Sequence, residues 1–388
     1  MSKIKVNSLE GVGASTPAIS IDNASGSCTA NITSVNGGQF SNRNVIINGA
    51  CQVAQRSNLL TSQSGYGAVD RFKLESGGAS RFTLSQGDGV GAQYGLPSSL
   101  KFETTTADSS VAATDYMYIV TKLEGQDMQR FQKGTSDAKQ YTLQFWIKLA
   151  VQGTYVVQLF DADNSRHVVA NYIVSSPNTW EKKIITFPAD TTGTFDNDNA
   201  ASLEVRWWFL GGSNYRGGTQ QTTWGAVVGA NMLEGMGNAV SSTGDNFITG
   251  MQLEVGSVAT DFEHLSFAED LRKCQRYYEK SYRYEDAVAS TSNNDGNIDI
   301  CLSSNNSGTV VYHLRFFQEK RTQPTVTVYR PDTGGSGQVK YGTINIASDY
   351  AATIVDSQST KSCRVYFGIG SSWQAAYIQS HYTAEAEL

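Results

Sequence analysis

The sequence predicts a mainly β protein, and three observations carry the prediction. Short apolar runs alternate with a period of two, which points successive side chains to opposite faces of a sheet. Glycine-rich turns separate these runs, drawn from 37 glycines in 388 residues. Charged residues make up 17%, well under the usual quarter, while 19 tyrosines and 16 phenylalanines supply bulk for a sheet core. The length suggests two or three domains. The expected architecture is an extended N-terminal arm (1–43), a jelly-roll β-sandwich (44–265), a short connecting helix (266–284) and a small C-terminal β-sandwich (285–388).

In the arm, Val6, Leu9, Val12, Ile19, Ile21 and Ile32 are scattered among Gly, Ser, Thr and Asn, with no aromatic before Phe40. So thin an apolar content cannot bury a core by itself. The alternation Ile19-Ser20-Ile21 and the absence of charge runs favour an arm that orders against a partner over a free tail. The opening Met1-Ser2-Lys3-Ile4-Lys5-Val6 lacks the apolar stretch of a secretion signal. No run approaches the roughly 20 apolar residues of a membrane span. Synthesis inside a cell is therefore expected, without membrane insertion.

The body reads as a succession of strands. Tyr141 to Leu149 alternates, with Tyr141, Leu143, Phe145, Ile147 and Leu149 on one face. Thr154 to Phe160 follows Gln152-Gly153, which predicts a hairpin between the two runs. Trp180 to Phe187, Ser202 to Phe209 and Phe247 to Glu254 add further strands. Ser266 followed by Glu269 is a capping box at a helix start. Phe267, Leu271, Cys274, Tyr278 and Tyr282 then fall on roughly one helical face. Beyond the helix, 308–317, 324–329, 363–369 and 376–378 read as strands, with Gly334-Gly335-Ser336-Gly337 and Asn293-Asn294-Asp295-Gly296 as turns.

Most chemistry is argued against. The five cysteines contain no CxxC pair, and an odd total suits neither a zinc site nor a disulfide framework. The histidines 167, 264, 313 and 381 are dispersed, and His313 lies inside a strand pattern. Gly87-Asp88-Gly89-Val90-Gly91 lacks the lysine and helix of a phosphate cradle and is expected to be a loop. Asp161-Ala162-Asp163-Asn164 and Asp196-Asn197-Asp198-Asn199 fall at turns, where Asp and Asn bond the backbone. A calcium role is open to either, though neither has the Gly at position 6 and the Glu at position 12 of an EF-hand loop. A formal charge of −6 argues against nucleic acid. No catalytic residue, metal or cofactor is expected.

One constellation suits binding. Alternation puts Leu203, Val205, Trp207 and Phe209 on one face, and Glu204, Arg206, Trp208 and Leu210 on the other, so Trp208 is expected outside the core. With Tyr215, Arg216 and Trp224 on the following glycine-rich loop, Arg206 and Trp208 form a candidate contact set. Aromatic faces and cationic groups of this kind suit a glycan, and packing against a neighbouring subunit is the favoured alternative.

Asn48-Gly49, Gln55-Arg56, Asp70-Arg71, Phe145-Trp146-Ile147-Lys148, Thr179-Trp180, Gln252 to Glu263 and Cys274-Gln275-Arg276-Tyr277-Tyr278 form an ordered set. That set resembles the tail-fibre and related structural proteins of tailed bacteriophage virions; Asp261 stands where such proteins often carry Pro. The order Phe145-Trp146, Thr179-Trp180, Gln252-Leu253-Glu254 also resembles carbohydrate-binding-module jelly rolls. The first resemblance implies a homotrimeric fibre in the virion tail, synthesised in the host cytoplasm. Its arm would engage a phage tail or adaptor protein, and its far end a host surface glycan or protein. The alternatives are a carbohydrate-binding module or a capsule depolymerase acting on host polysaccharide.

Overall fold

The computed structural model describes strand segments at 8–9, 19–21, 28–30 and 60–61 and residues 42–56, 64–78, 82–291, 295–306, 308–343, 346–356, 358–369 and 375–388. The expectation of an extended arm falls largely outside these. Within it, Ser8–Leu9, Ile19–Ile21 and Cys28–Ala30 pair antiparallel as a three-stranded sheet.

The protein is mainly β. Two antiparallel sheets build the body. One has six strands in the order Glu181–Phe187, Tyr141–Lys148, Gly244–Val255, Leu96–Thr104, Phe82–Gly91 and Leu60–Thr61. The other has seven: Gly225–Ala226, Arg166–Val174, Gly153–Asp161, Ala201–Gly211, Tyr116–Glu124, Lys73–Gly77 and Gly65–Tyr66. Their inner faces meet: Phe102 lies 4.5 Å from Phe209 and Phe145 6.0 Å from Trp207, ring to ring. Tyr141, Leu143, Phe145, Ile147 and Leu149 are all fully buried, as their alternation predicts.

The expected hairpin across Gln152-Gly153 does not form. Tyr141–Lys148 pairs with Glu181–Phe187 and Gly244–Val255, whereas Gly153–Asp161 belongs to the opposite sheet. Alternation fixes which face is apolar but not which strand lies alongside, and here residues 149–152 carry the chain from one sheet to the other. Gly87–Gly91 is likewise part of the strand Phe82–Gly91, not a loop. The register shifts between Asp88 and Gly91, and a Cβ at Gly89 would sit 2.1 Å from the Leu96 carbonyl oxygen.

The helix runs Phe267–Gln275 and opens with the expected capping box: Glu269 N donates to Ser266 Oγ, and Ser266 N donates to the Glu269 carboxylate. It is shorter than the expected 266–284. Tyr277 N closes a turn on Cys274 O, and Tyr278–Lys280 is a strand paired to Thr383–Glu385. Aromatic residues fit such a pleated pairing. Cys274 and Tyr278 are buried, Leu271 is half-buried and Phe267 is 43% exposed; Asp270 faces inward instead.

A second cluster of buried side chains, including Tyr312, Val328, Val339, Phe367 and Ile378, lies in the C-terminal region. Its central strand is Ala375–Glu385, flanked by Tyr278–Lys280 and Thr325–Tyr329 along one half and by Ile298–Asn306 and Gln338–Thr343 along the other. Gly308–Arg315, Ser362–Ile369 and Ile354–Asp356 form the facing sheet. Among the described residues no helix is long and apolar enough to cross a membrane.

Candidate functional site

Two constructions emerge from the side chains: a polar joint where the two β-bodies meet, and an aromatic face on the seven-stranded sheet.

The joint starts from a backbone that few residues tolerate. Asn48 has φ 60° and Arg71 φ 74°, in the left-handed region. A Cβ at Gly49 would lie 2.1 Å from the Met251 carbonyl oxygen, so only glycine passes. Asn48 Nδ2 donates to the carbonyls of Val53 (2.8 Å) and Asp70 (2.9 Å), and its own N–H donates to Asp270 Oδ1 at 3.1 Å. Gln55 donates to Asp70 through N (3.0 Å) and Nε2 (2.5 Å), and to Tyr278 O at 2.8 Å.

The two arginines beside these residues turn toward the chain's far end. Arg71 pairs with Glu387, donates to Lys122 O at 2.7 Å and lies 3.4 Å from the centre of the Tyr277 ring. Arg56 donates to Glu387 at 3.2 Å and sits 3.9 Å above Tyr278. Arg321 completes the clasp, donating to the carbonyls of Ala386 and Glu387, both at 3.0 Å. Behind it Arg276 grips Glu124 with two bonds of 2.8 Å.

Charge burial here is compensated unevenly. Burial works against the Arg71 cation, but the Glu387 carboxylate together with Tyr277, Tyr66 and Cys274 outweighs it and raises its pKa. Burial also pushes the Glu124 carboxyl upward, yet the Arg276 and Tyr277 bonds win and hold it below its ordinary value. At Asp70 burial wins over Arg56 and Gln55, and the carboxyl is pushed up to about 6.

The second construction contains three of the five candidate contact residues. Trp208 lies 5.6 Å from the Tyr215 ring and 4.5 Å from Tyr118; Tyr116 stacks 5.8 Å from Tyr118. Arg206 lies 4.1 Å above Phe160 and 5.3 Å from the Tyr118 ring, with Glu204 at 2.7 Å. Trp208 Nε1 donates to Gln158 Oε1 at 3.0 Å, and that oxygen also takes Arg206 at 3.4 Å.

The expectation that Trp208 stands outside the core needs correction. It does point away from Trp207, but it is only 2% exposed because Tyr118 and the loop carrying Tyr215 cover it. Trp208 is a foundation; the half-buried Tyr116, Tyr118, Phe160, Arg206 and Tyr215 form the accessible layer. Arg216 and Trp224 are not brought into this layer. Arg216 is half-buried, which lowers its pKa, with Glu234 opposing. Trp224 Nε1 donates to Pro188 O at 2.8 Å and its ring lies 5.7 Å from Tyr141. The alternation Tyr116-Met117-Tyr118-Ile119 is the sequence signal that would have found the missing aromatics.

The acidic turns serve loops. Asp163 accepts from Asp196 N at 2.9 Å, and Asp198 accepts from Ala200 N at 2.9 Å. Cys51, Cys274 and Cys363 are buried and free, and Cys301 is exposed.

No family and no curated protein matches the sequence. Among solved structures the chain is similar to the enzymatically active domain of tailspike protein 4 of bacteriophage CBA120, at 12% identity and TM-score 0.32, covering 55% of this chain and 21% of that one. It is also similar to a family 11 carbohydrate-binding module from Clostridium thermocellum in complex with a β-1,3-1,4-mixed-linked tetrasaccharide: 13% identity, TM-score 0.27, 54% of this chain and 99% of that one. Discoidin II of Dictyostelium discoideum is a third, at 10% identity and TM-score 0.17, covering 79% and 96%.

Proposed function

We propose that this chain is a structural component of a tailed bacteriophage virion, a homotrimeric tail fibre held by residues 1–43 and contributing to host-surface recognition. The reading includes the division into arm, body, joint and distal unit. The observation that carries it is the convergence of the ordered motif set. Asn48, Gln55, Arg56, Asp70, Arg71, Arg276, Tyr277 and Tyr278 are spread over more than 200 positions and close one buried joint. A fibre needs what such a joint supplies: two sheet bodies held in one fixed orientation. Immunogold labelling of purified particles against this chain should mark the tail. A chain lacking 1–43 should stay a folded trimer and fail to enter particles; normal incorporation would overturn the anchoring role.

The second reading, a carbohydrate-binding module, is favoured by the ring layer around Tyr118 and Arg206. Stacking rings beside hydrogen-bonding groups suit the C–H and hydroxyl faces of a sugar. Purified protein should bind host envelope polysaccharide on an array, and Tyr118→Ala should remove that binding from a chain that still folds and melts cooperatively. It should release no reducing sugar; release would favour a depolymerase over both readings.

A further inference from the structure

The acidic turn beginning at Asp161 already holds a positive charge. Lys133 Nζ lies 2.6 Å from Asp161 Oδ2 and 3.2 Å from Asp190 Oδ2, and donates to the carbonyls of Thr192 (3.0 Å) and Gly193 (2.6 Å). The lysine side chain is fully buried. Both carboxylates are fixed by other groups: Asp161 accepts from Asn164 N at 3.0 Å, and Asp190 takes the Arg166 fork at 2.9 and 3.0 Å.

An ammonium has three N–H groups, and four oxygens converge on this one. At least one of them, Asp190 Oδ2, is therefore held to the ammonium by charge without a hydrogen bond from it. Two carboxylates and two main-chain carbonyls around a point charge is the donor chemistry of a hard cation. Among the described residues no group of three or more His, Cys, Asp or Glu could hold a metal, so the cage depends on its carbonyls as much as on its acids. A cavity of about 350 Å³, lined in part by Lys133, Thr194 and Phe195, adjoins it.

We propose that Lys133 is a built-in cation: its ammonium fills an oxygen cage that would otherwise take a free hard cation, and locks the 188–196 loop without metal. The lock reaches Trp224, which bonds Pro188 O and lies 5.4 Å from Lys133 Nζ.

The test is thermal melting of the full chain. The unmodified protein should melt at one temperature in EDTA and in millimolar Ca²⁺. Lys133→Ala takes from the buried Asp161 carboxylate its cation and leaves Asp190 with Arg166 alone, and should melt about 5–15 °C lower. Ca²⁺ or ethylammonium should raise that temperature saturably and return the tryptophan emission toward the unmodified spectrum, whereas NaCl at equal ionic strength should do neither. The triple variant Lys133→Ala, Asp161→Asn, Asp190→Asn should ignore both cations. Should Lys133→Ala fail to fold, its refolding yield must rise with Ca²⁺ or ethylammonium. The inference is overturned by a single variant as stable as the parent, by equal cation responses in the single and triple variants, by a parent that loses stability in EDTA, or by no recovery of yield.

Discussion

Asp70 sits in surroundings that work against its charge. It is 1% exposed, and burial raises its pKa from 3.8 to about 6. The folded state thus binds this proton more readily than the unfolded chain. Its ionised form weakens the fold above pH 6, and that cost falls away as pH drops from 6 toward 4. A shift of two units corresponds to roughly 2–3 kcal/mol at most. Urea midpoints at pH 7.5 and pH 5 should show a gain on acidification that Asp70→Asn lacks; an equal gain in the variant would place its source elsewhere. Neither the burial nor its partners could be read locally, because Gln55 and Arg56 reach Asp70, and Gln55 reaches Tyr278, only through the fold.

At the scale of elements, the sequence was informative wherever a signal is local. The alternation at Tyr141 to Leu149 and the Ser266–Glu269 box both involve neighbours along the chain, and both appear as read. What depends on remote partners was not legible: the neighbour of Gly153–Asp161, the cover over Trp208, and the inward turn of Asp270. The helix illustrates the difference energetically. Asp270 accepts from Asn48 N and from Gln52 Nε2 at 3.0 Å, whereas Leu271 is only half-buried. Asp270→Ala orphans a buried amide, at about 1–3 kcal/mol, and should lower the urea midpoint more than Leu271→Ala. Ser266→Ala should cost about 1 kcal/mol through the lost cap. The opposite ranking of Asp270 and Leu271 would mean that the helix docks by its apolar face.

For the whole molecule, the clasp at Glu387 decides whether the two bodies behave as one. Arg56, Arg71 and Arg321 reach it from two regions of the chain, and Glu387 itself is nearly inaccessible. Removing one partner of a buried pair costs up to about 3–5 kcal/mol, and less here because Arg56 still reaches Glu387. Calorimetry of the parent should therefore show one cooperative transition, and Arg71→Leu should split it into two. A single transition in the variant would assign the coupling to the apolar contacts of Tyr277 and Tyr278.

The strand Ala375–Glu385 has a consequence in time. Four other strands take it as a neighbour, and the most distant pairing joins Tyr278 to Glu385. Closing so long a loop is slow, since chain entropy is lost before any contact compensates it. Until that strand arrives, Tyr278–Lys280, Thr325–Tyr329 and Gln338–Thr343 each present an open edge, the feature through which chains pair wrongly with one another. Refolding from urea should accordingly show a late phase reported by the C-terminal body. Its yield should fall as protein concentration rises, and Ile378→Ala should deepen that fall. The order in which the strands find their partners thus sets how much folded protein is recovered.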